Sequence, residues 1–454
     1  MDKESSPFQS AIRNNVKYIT LKTAIPEQVT GNILHHFQIE RCTDGIIKLD
    51  VQEDVFKYLE TKLNIICNST ELLTDDRNNA LIELYRCFRN SSINERSQNF
   101  ICFETTILKT TKSVIDTIDR NNILMKIILQ FLINIITSNR NVGEKVHEEF
   151  SAILKTLVNE RLHIYECSAL LYNISLHVPL ESDTIDIMFK LHSESNQSEF
   201  VQFFIENCIS TDEFWNLYDN LETSQKLISL ETIRAQQISD MEYNLPTSAV
   251  QIIIIDFLDS PKIFFKINNL TTNEEIREVS LLLEILSCLS SSDKYLCILQ
   301  ENRNIIINAS ALLINFHKLG KCSGSLFTPI QKLAECTPED SENPVFGLKV
   351  DLIRLVGNLC WKNPLMQNLA RESEVIPVIL DCCNIDVKNP FIIQWCILAI
   401  RNLCDNNIEN QRIISGMRRE GTVSSQVLNE FGVTLDSDGQ NQLKIIPLDS
   451  LKQQ

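Results

Sequence analysis

Glycine and proline are scarce, 11 and 12 among 454 residues, together about 5% where roughly 12% is ordinary. Between Gly45 and Gly320 the single glycine is Gly143. No G-x-G-x-x-G, G-x-x-x-x-G-K-[ST] or G-x-S-x-G occurs. Dinucleotide folds, phosphate loops and hydrolase elbows are thereby excluded, because each needs glycine where the backbone turns sharply or meets a phosphate. Sandwiches and barrels, with a tight turn roughly every 8–12 residues, are disfavoured as well. Long helices joined by short polar turns are left.

Positive charge is also short. The formal net charge is −17 and the isoelectric point about 5.0, which opposes adsorption to nucleic acid or anionic lipid. The start, Met1-Asp2-Lys3-Glu4-Ser5-Ser6, is too polar for a secretory leader. The most apolar stretch, Ile123 to Ile136, is interrupted by Lys126, Gln130 and Asn134 and is too short to span a bilayer. The expectation is a cytoplasmic protein with no nucleic acid and no membrane insertion. Fifteen cysteines and seven histidines show no C-x-x-C, C-x-x-H or H-x-x-x-H spacing, so no metal and no cofactor is expected. Cys87, Cys167, Cys208 and Cys396 sit among Leu, Ile and Phe at helical spacing and read as buried, reduced thiols. Acidic residues are plentiful, but nothing separates a general acid–base pair from a solvated helix face. No catalytic residue is expected.

What is present is repetition. A compact core stops growing near roughly 250–300 residues, so this length implies several domains or a stack of repeats. Asn358-Leu359-Cys360 echoes Asn402-Leu403-Cys404, and the same offset pairs Asn363 with Asn407 and Gln367 with Gln411. Each asparagine follows an amphipathic stripe: Leu352, Leu355, Val356 and Leu359 around Asn358, and Cys396, Ala399, Ile400 and Leu403 around Asn402. The same pattern surrounds Asn134, Asn173, Asn207 and Asn315, and more weakly Asn90. Separations of 44, 39 and 34 residues from Asn90 to Asn207, then 43 and 44 from Asn315 to Asn402, fit armadillo or HEAT units of about 40–47 residues. Between Asn207 and Asn315 the register is lost.

The punctuation divides the chain into N-terminal armadillo-like repeats over 1–235, irregular middle repeats over 249–319, a linker over 320–347 and a C-terminal domain over 348–454. His192 to Ser198 and Gln236 to Ser248 read as loops, and the linker gathers three glycines with Pro329, Pro338 and Pro344. Val433-Thr434-Leu435 and Leu443-Lys444-Ile445-Ile446, flanking Asp436-Ser437-Asp438-Gly439, signal a β-hairpin. The expected fold class is all-α, an armadillo-like α-solenoid with a small C-terminal β-hairpin.

Within the last part, Leu352-Ile353-Arg354-Leu355-Val356-Gly357-Asn358-Leu359-Cys360, Ile376-Pro377, Cys383-Asn384-Ile385-Asp386, Asn389-Pro390-Phe391-Ile392, Trp395 and Ala399-Ile400-Arg401-Asn402-Leu403 resemble the C-terminal homology domain of the ataxin-10 family. Asn410-Gln411 and Phe431-Gly432 continue the likeness, which covers Asn343 to Ile446. Gln394, where the family usually has glutamate, and Met366, in place of the asparagine of the first Asn-Gln pair, depart from it. Upstream, only Cys87-Phe88-Arg89-Asn90 is similar. The resemblance implies a non-enzymatic, cytoplasmic armadillo-like protein, linked through its partners to cell survival, neurite growth and cytokinesis.

The asparagines lie on a second stripe beside the apolar one. It holds Asp351, Arg354, Asn358 and Trp361 in one repeat and Trp395, Leu398, Asn402 and Asp405 in the next. Two readings stay open: the amides line a peptide groove, or they are buried between repeats, where they satisfy helix-end carbonyls. Under the first, Arg354, Asn358, Trp361, Arg401 and Asn402 are partner-binding residues. Asn389-Pro390-Phe391 is either an exposed Asn-Pro-Phe ligand or a helix start with asparagine as cap, proline at the first position and phenylalanine in the core. Thr328-Pro329 and Thr337-Pro338 are possible proline-directed phosphorylation sites. The leading function is a scaffold for other proteins, homo-oligomerisation being possible. The alternatives are a transport adaptor carrying basic peptides, and an exchange factor or chaperone for a GTPase.

Overall fold

A computed structural model describes residues 53–68, 74–179, 181–194, 198–239, 244–260, 273–322 and 345–417. It also describes 325–331, 334, 337 and 343, with four short strands. The chain divides into two units, Met1–Asn220 and Leu221–Gln454.

The first unit contains α1 (Glu53–Asn68), α2 (Thr74–Ser91), α3 (Glu95–Asn99, continued by a π-helical turn, Phe100–Glu104), α4 (Ile107–Ile115) and α5 (Ile123–Ile135). There follow α6 (Arg140–Asn159), α7 (Ile164–Ser175), α8 (Ser182–His192), α9 (Glu199–Ile209) and α10 (Asp212–Leu217). Helices α2, α5, α7 and α9 lie side by side, with α6 behind α7 and α8 behind α9. The apolar run noted in the sequence is α5, buried almost all round, and Lys126 interrupts it because it pairs with Glu166 of α7 at 3.5 Å. Among the described residues no helix is long and apolar enough to cross a membrane.

The second unit begins with α11 (Thr223–Ser239), α12 (Thr247–Asp259), α13 (Asn273–Leu289), α14 (Asp293–Glu301) and α15 (Arg303–Gly320). It continues with α16 (Leu348–Leu359), α17 (Pro364–Glu372), α18 (Val375–Asp381), α19 (Ile392–Cys404) and α20 (Ile408–Gly416). Helices α11, α13, α16 and α19 form one row, backed by α12 against α13 and α15 against α16. Apolar stripes at helical spacing make this possible: Leu282, Ile285, Leu286 and Leu289 in α13 and Leu352, Leu355, Val356 and Leu359 in α16 are all buried. Each unit is therefore a stack of helices in two layers.

Three boundaries differ from the sequence expectation. The end placed at residue 235 falls inside α11, and the chain divides after Asn220 instead. The loop drawn over Gln236 to Ser248 is shorter, since α11 runs to Ser239 and α12 starts at Thr247. The segment 320–347 does not act as a linker, because α13 and α15 before it pack directly on α16 after it. Its described part is a strap on the C-terminal domain. Phe327 stacks on Phe316 at 4.3 Å, Lys349 Nζ donates to the Phe327 carbonyl at 2.7 Å, and Val387 N–H donates to the Ile330 carbonyl at 2.7 Å. Gly320 is glycine because a Cβ there would lie 2.6 Å from the Phe327 oxygen.

Two-residue strands β1 (Glu40–Arg41) and β2 (Ile47–Lys48) pair antiparallel. Near the C-terminus β3 (Val433–Ser437) and β4 (Leu443–Pro447) run antiparallel, with Val433 opposite Pro447 and Ser437 opposite Leu443. Their turn, Asp438 to Gln442, and the expected helix stop at Phe431-Gly432 lie outside the described residues.

Asn389-Pro390-Phe391 does not start a helix in the expected way. Asn389 is buried and its Oδ1 accepts from Lys349 N–H at 3.0 Å and Val350 N–H at 3.2 Å, so it caps the neighbouring α16. Phe391 is 72% exposed, takes a left-handed φ of 62°, and α19 begins only at Ile392. With its asparagine committed, the tripeptide is not free as a linear ligand.

One glycine sets the spacing of α16 and α19. A Cβ on Gly357 would lie 2.9 Å from both Cα and Cβ of Ala399, so the helices meet backbone against backbone. We expect Gly357→Ala to destabilise the second unit by about 1–3 kcal/mol through overpacking. Gly416→Ala, whose added methyl meets nothing within 4 Å, serves as control in urea denaturation; equal behaviour of the two variants contradicts the close approach.

Candidate protein-binding surface

The asparagine column lies at the interface between successive helices. Asn402 Nδ2 donates to the Gly357 carbonyl at 2.9 Å, and Asn134 Nδ2 in the first unit donates to the Arg89 carbonyl at 2.9 Å. Each acceptor immediately precedes the column asparagine of the preceding repeat, Asn358 or Asn90. Asn207 Nδ2 donates to the Ser175 carbonyl at 3.2 Å, and Asn358 Nδ2 to the Ser290 hydroxyl at 2.9 Å. The Asn173 amide nitrogen is buried with no partner among the described residues. Asn358 and Asn402, expected as partner-binding residues, are both buried, and their amides join repeats instead of lining a groove.

Asn315 lies on α15, in the backing layer, so it does not belong to the column. Asn308 makes the comparable bond there, to the Leu258 carbonyl at 3.2 Å. In the row of α11, α13, α16 and α19, α11 has no asparagine and α13 has Cys288 in the column position, flanked by Leu282, Ile285, Leu286 and Leu289 at −6, −3, −2 and +1. A cysteine in the asparagine's place explains why α13 gave no column asparagine between Asn207 and Asn315.

A second network repeats around the column. In the second unit Gln367 Nε2 donates to the carbonyls of Asn402 at 2.8 Å and Asp405 at 3.0 Å, and Asn407 Nδ2 donates to Gln367 Oε1 at 3.1 Å. In the first, Gln98 Nε2 donates to the carbonyls of Asn134 at 3.1 Å and Thr137 at 3.2 Å, and Asn139 Nδ2 donates to Gln98 Oε1 at 3.2 Å. Each glutamine stands four residues after an N-cap asparagine, Asn363 or Asn94. Asn139 and Asn407 are N-caps too, each preceded by a left-handed residue, Ser138 or Asn406. The glutamine-to-cap spacing was the missed signal; it identifies the two units as built from one repeat.

The other residues of the stripe come to the surface together. The Arg354 guanidinium lies over the Trp395 ring at 4.9 Å, Arg401 over Trp361 at 5.9 Å, and Lys362, not anticipated, over Trp361 at 4.9 Å. Trp361 follows the last turn of α16, where Gln300 Nε2 of α14 donates to the Leu359 and Trp361 carbonyls at 2.9 and 3.0 Å. Arg354 is also anchored on the turn after α13, its Nη2 donating to Ser291 Oγ at 2.8 Å. Arg401 and Lys362 are exposed. Below Arg354, Asp351 accepts from Ser287 Oγ at 3.0 Å; burial, reinforced by Glu284, raises its carboxyl to about 7 against the pull of Ser287, Arg354 and Arg234.

Residues 348–446 match the family model described as "Spinocerebellar ataxia type 10 protein domain". This segment is similar to the ataxin-10 domain. The chain is 27% identical over 384 residues to ataxin-10 of Bos taurus, covering 79% of this chain and 80% of that protein. It is 37% identical over 174 residues to ataxin-10 of Xenopus tropicalis, 38% of this chain but only 36% of the relative. The ataxin-10 homolog of Dictyostelium discoideum is 40% identical over 103 residues, 22% of this chain and 17% of its own. An engineered protein of known crystal structure aligns at 12% identity and a TM-score of 0.35 over 80% of this chain and 82% of its own, a likeness too low to add to the fold.

Behind α16 lies a cavity of about 310 Å³, lined by His317, Lys349, Asp381, Cys382 and residues of the strap. Cys382 Sγ is 3.6 Å from His317 Nδ1, and His317 Nε2 is 3.3 Å from Asp381 Oδ2. The spacing is suggestive of a thiol nucleophile with its base, but the electrostatics oppose it. Burial raises the thiol to about 11 and, with Lys321, lowers the imidazole, so neither ion of a reactive pair is favoured. No group of three His, Cys, Asp or Glu among the described residues is placed to hold a metal. Of the two threonines, Thr328 is half-buried and donates to the Cys322 carbonyl at 3.0 Å, whereas Thr337 is exposed.

Proposed function

We propose that the protein is a non-enzymatic armadillo-like scaffold that binds other proteins through the ataxin-10 domain, using the Arg354–Trp395 and Trp361–Arg401 face. The observation that carries this reading is the pairing of two indoles with three cations across α16 and α19. Tryptophan and arginine supply much of the energy at protein interfaces, the indole through apolar area and the guanidinium through directed hydrogen bonds. The amides beneath are already used to join repeats, so this face is fixed before any partner arrives. The similarity to ataxin-10 supports a cytoplasmic role in cell survival, neurite growth and cytokinesis as part of the same proposal. A basic-peptide adaptor is less favoured, because the stripe presents cations.

The test compares proteins captured from cell extract by wild type and by Trp361→Ala/Arg401→Ala, with circular dichroism to verify the fold. Loss of one anchor of about 2 kcal/mol weakens a partner roughly 30-fold, enough to remove it from washed resin. An unchanged set of partners on a folded variant overturns the assignment of this face.

A further inference from the structure

We infer that the occupant of this face is an acidic polypeptide segment, a run of Asp and Glu in extended conformation. The inference rests on the binding-surface reading and narrows it to one partner chemistry. Charge is the first argument. The whole chain carries −17, yet Arg354, Lys362 and Arg401 gather on one face of α16 and α19. Among the described residues neither Lys362 nor Arg401 has an ion pair. The two acids of the stripe are engaged within the protein, Asp351 accepting from Ser287 Oγ and Asp405 Oδ1 from Asn406 Nδ2 at 3.2 Å.

The stacking supplies the second argument. Arg354 already donates to Ser291 Oγ and Cys288 Sγ, whereas Arg401, 5.9 Å from the Trp361 ring centroid, has no hydrogen bond to its guanidinium among the described residues, and that free edge matches a carboxylate in two parallel hydrogen bonds. Stacking also restricts the side chain in advance, which reduces the entropy lost when the carboxylate arrives. An acidic segment is repelled by most of an acidic surface and is confined to the place where the sign reverses. At physiological salt the repulsion reaches only about 8 Å, so it acts locally around the stripe.

Geometry supplies the third. Packed helices lie about 8–10 Å apart, and an extended chain advances about 3.3 Å per residue. Carboxylates two or three residues apart therefore reach cations on neighbouring helices, the register set by α16 beside α19.

Fluorescence anisotropy with labelled octaglutamate, octalysine, a Gly-Ser peptide of equal length and octathymidylate tests the inference on the full chain. Saturable binding of octaglutamate above the other three is expected, weakening as salt rises. Lys362→Glu/Arg401→Glu should lose octaglutamate by about tenfold or more and gain octalysine, since reversed charge rejects the like-charged partner. Octaglutamate binding no better than Gly-Ser, or untouched by the charge reversal, overturns the inference; so does octathymidylate binding as tightly, which reads the face as a nucleic-acid site. If Trp361→Ala/Arg401→Ala loses captured proteins while octaglutamate fails, the binding surface stands and only the acidic class falls.

Discussion

Gln367→Leu will cost the second unit about 3–5 kcal/mol, because each buried polar group left without a partner costs about 1–3 kcal/mol. Gln367 is 1% exposed, and its one amide serves the carbonyls of Asn402, Asp405 and, at 3.3 Å, Cys360, while its oxygen holds Asn407. Leucine fills the volume but returns none of these bonds. Asn407 in turn accepts from Asn410 N–H at 3.1 Å, so the cap of α20 loosens along with the end of α19. Urea denaturation followed by circular dichroism reads the loss, and hydrogen exchange should place the earliest opening at residues 402–410. Gln98→Leu should behave alike in the first unit, where the same four-residue offset from an asparagine cap builds the same bonds. A cost below about 1 kcal/mol means that water replaces the glutamine and the network adds little.

What was legible in the sequence was the part that periodicity reports. Leu352, Leu355, Val356 and Leu359 recur at helical spacing, so the helices, the repeat and the Asn358–Asn402 echo follow from the order of residues alone. The direction of each amide does not, because Asn402 reaches a carbonyl only where Gly357 lets α16 and α19 approach. Asn389 shows the same limit. Local rules make it the cap of the helix it precedes, whereas its oxygen serves α16, 40 residues back. Cys288 interrupts the asparagine column without interrupting the fold, since the apolar stripe around it is intact. The glycines and prolines of 320–347 marked a break in helix, but a break in helix is not a break in packing: Phe327 stacks on Phe316 across it. The stripe itself was foreseeable as to membership, with Arg354, Trp361 and Trp395 on it, whereas Arg401 reaches Trp361 from beside it. The stacking that pairs them depends on the offset between two helices.

Asp351→Asn should stabilise the second unit at alkaline pH by up to about 4 kcal/mol, at about 1.4 kcal/mol for each pH unit by which folding displaces the carboxyl. Asp351 is raised from an ordinary 3.8 to about 7, burial being the main cause and Glu284 the next. The sign follows from proton uptake. Between pH 4 and 7 the folded chain holds a proton here that the unfolded chain releases, so this group's contribution to stability is greatest at low pH and is lost as pH rises through about 7. Asparagine neither titrates nor carries charge, and its oxygen still accepts from Ser287. The variant should match wild type near pH 4, gain steadily up to about pH 7 and level off above it, and a gap independent of pH removes the explanation. The charges that face Asp351 are Glu284 of α13, Arg234 of α11, which binds Glu284 at 2.6 Å, and Arg354 of its own helix; the Cys288 thiol, itself raised by burial, lies beside Arg354. Arg354 therefore has an anion below it only above pH 7. The binding stripe is more positive below that pH, and octaglutamate affinity should fall as pH rises from 6 to 8 in wild type but stay level in Asp351→Asn.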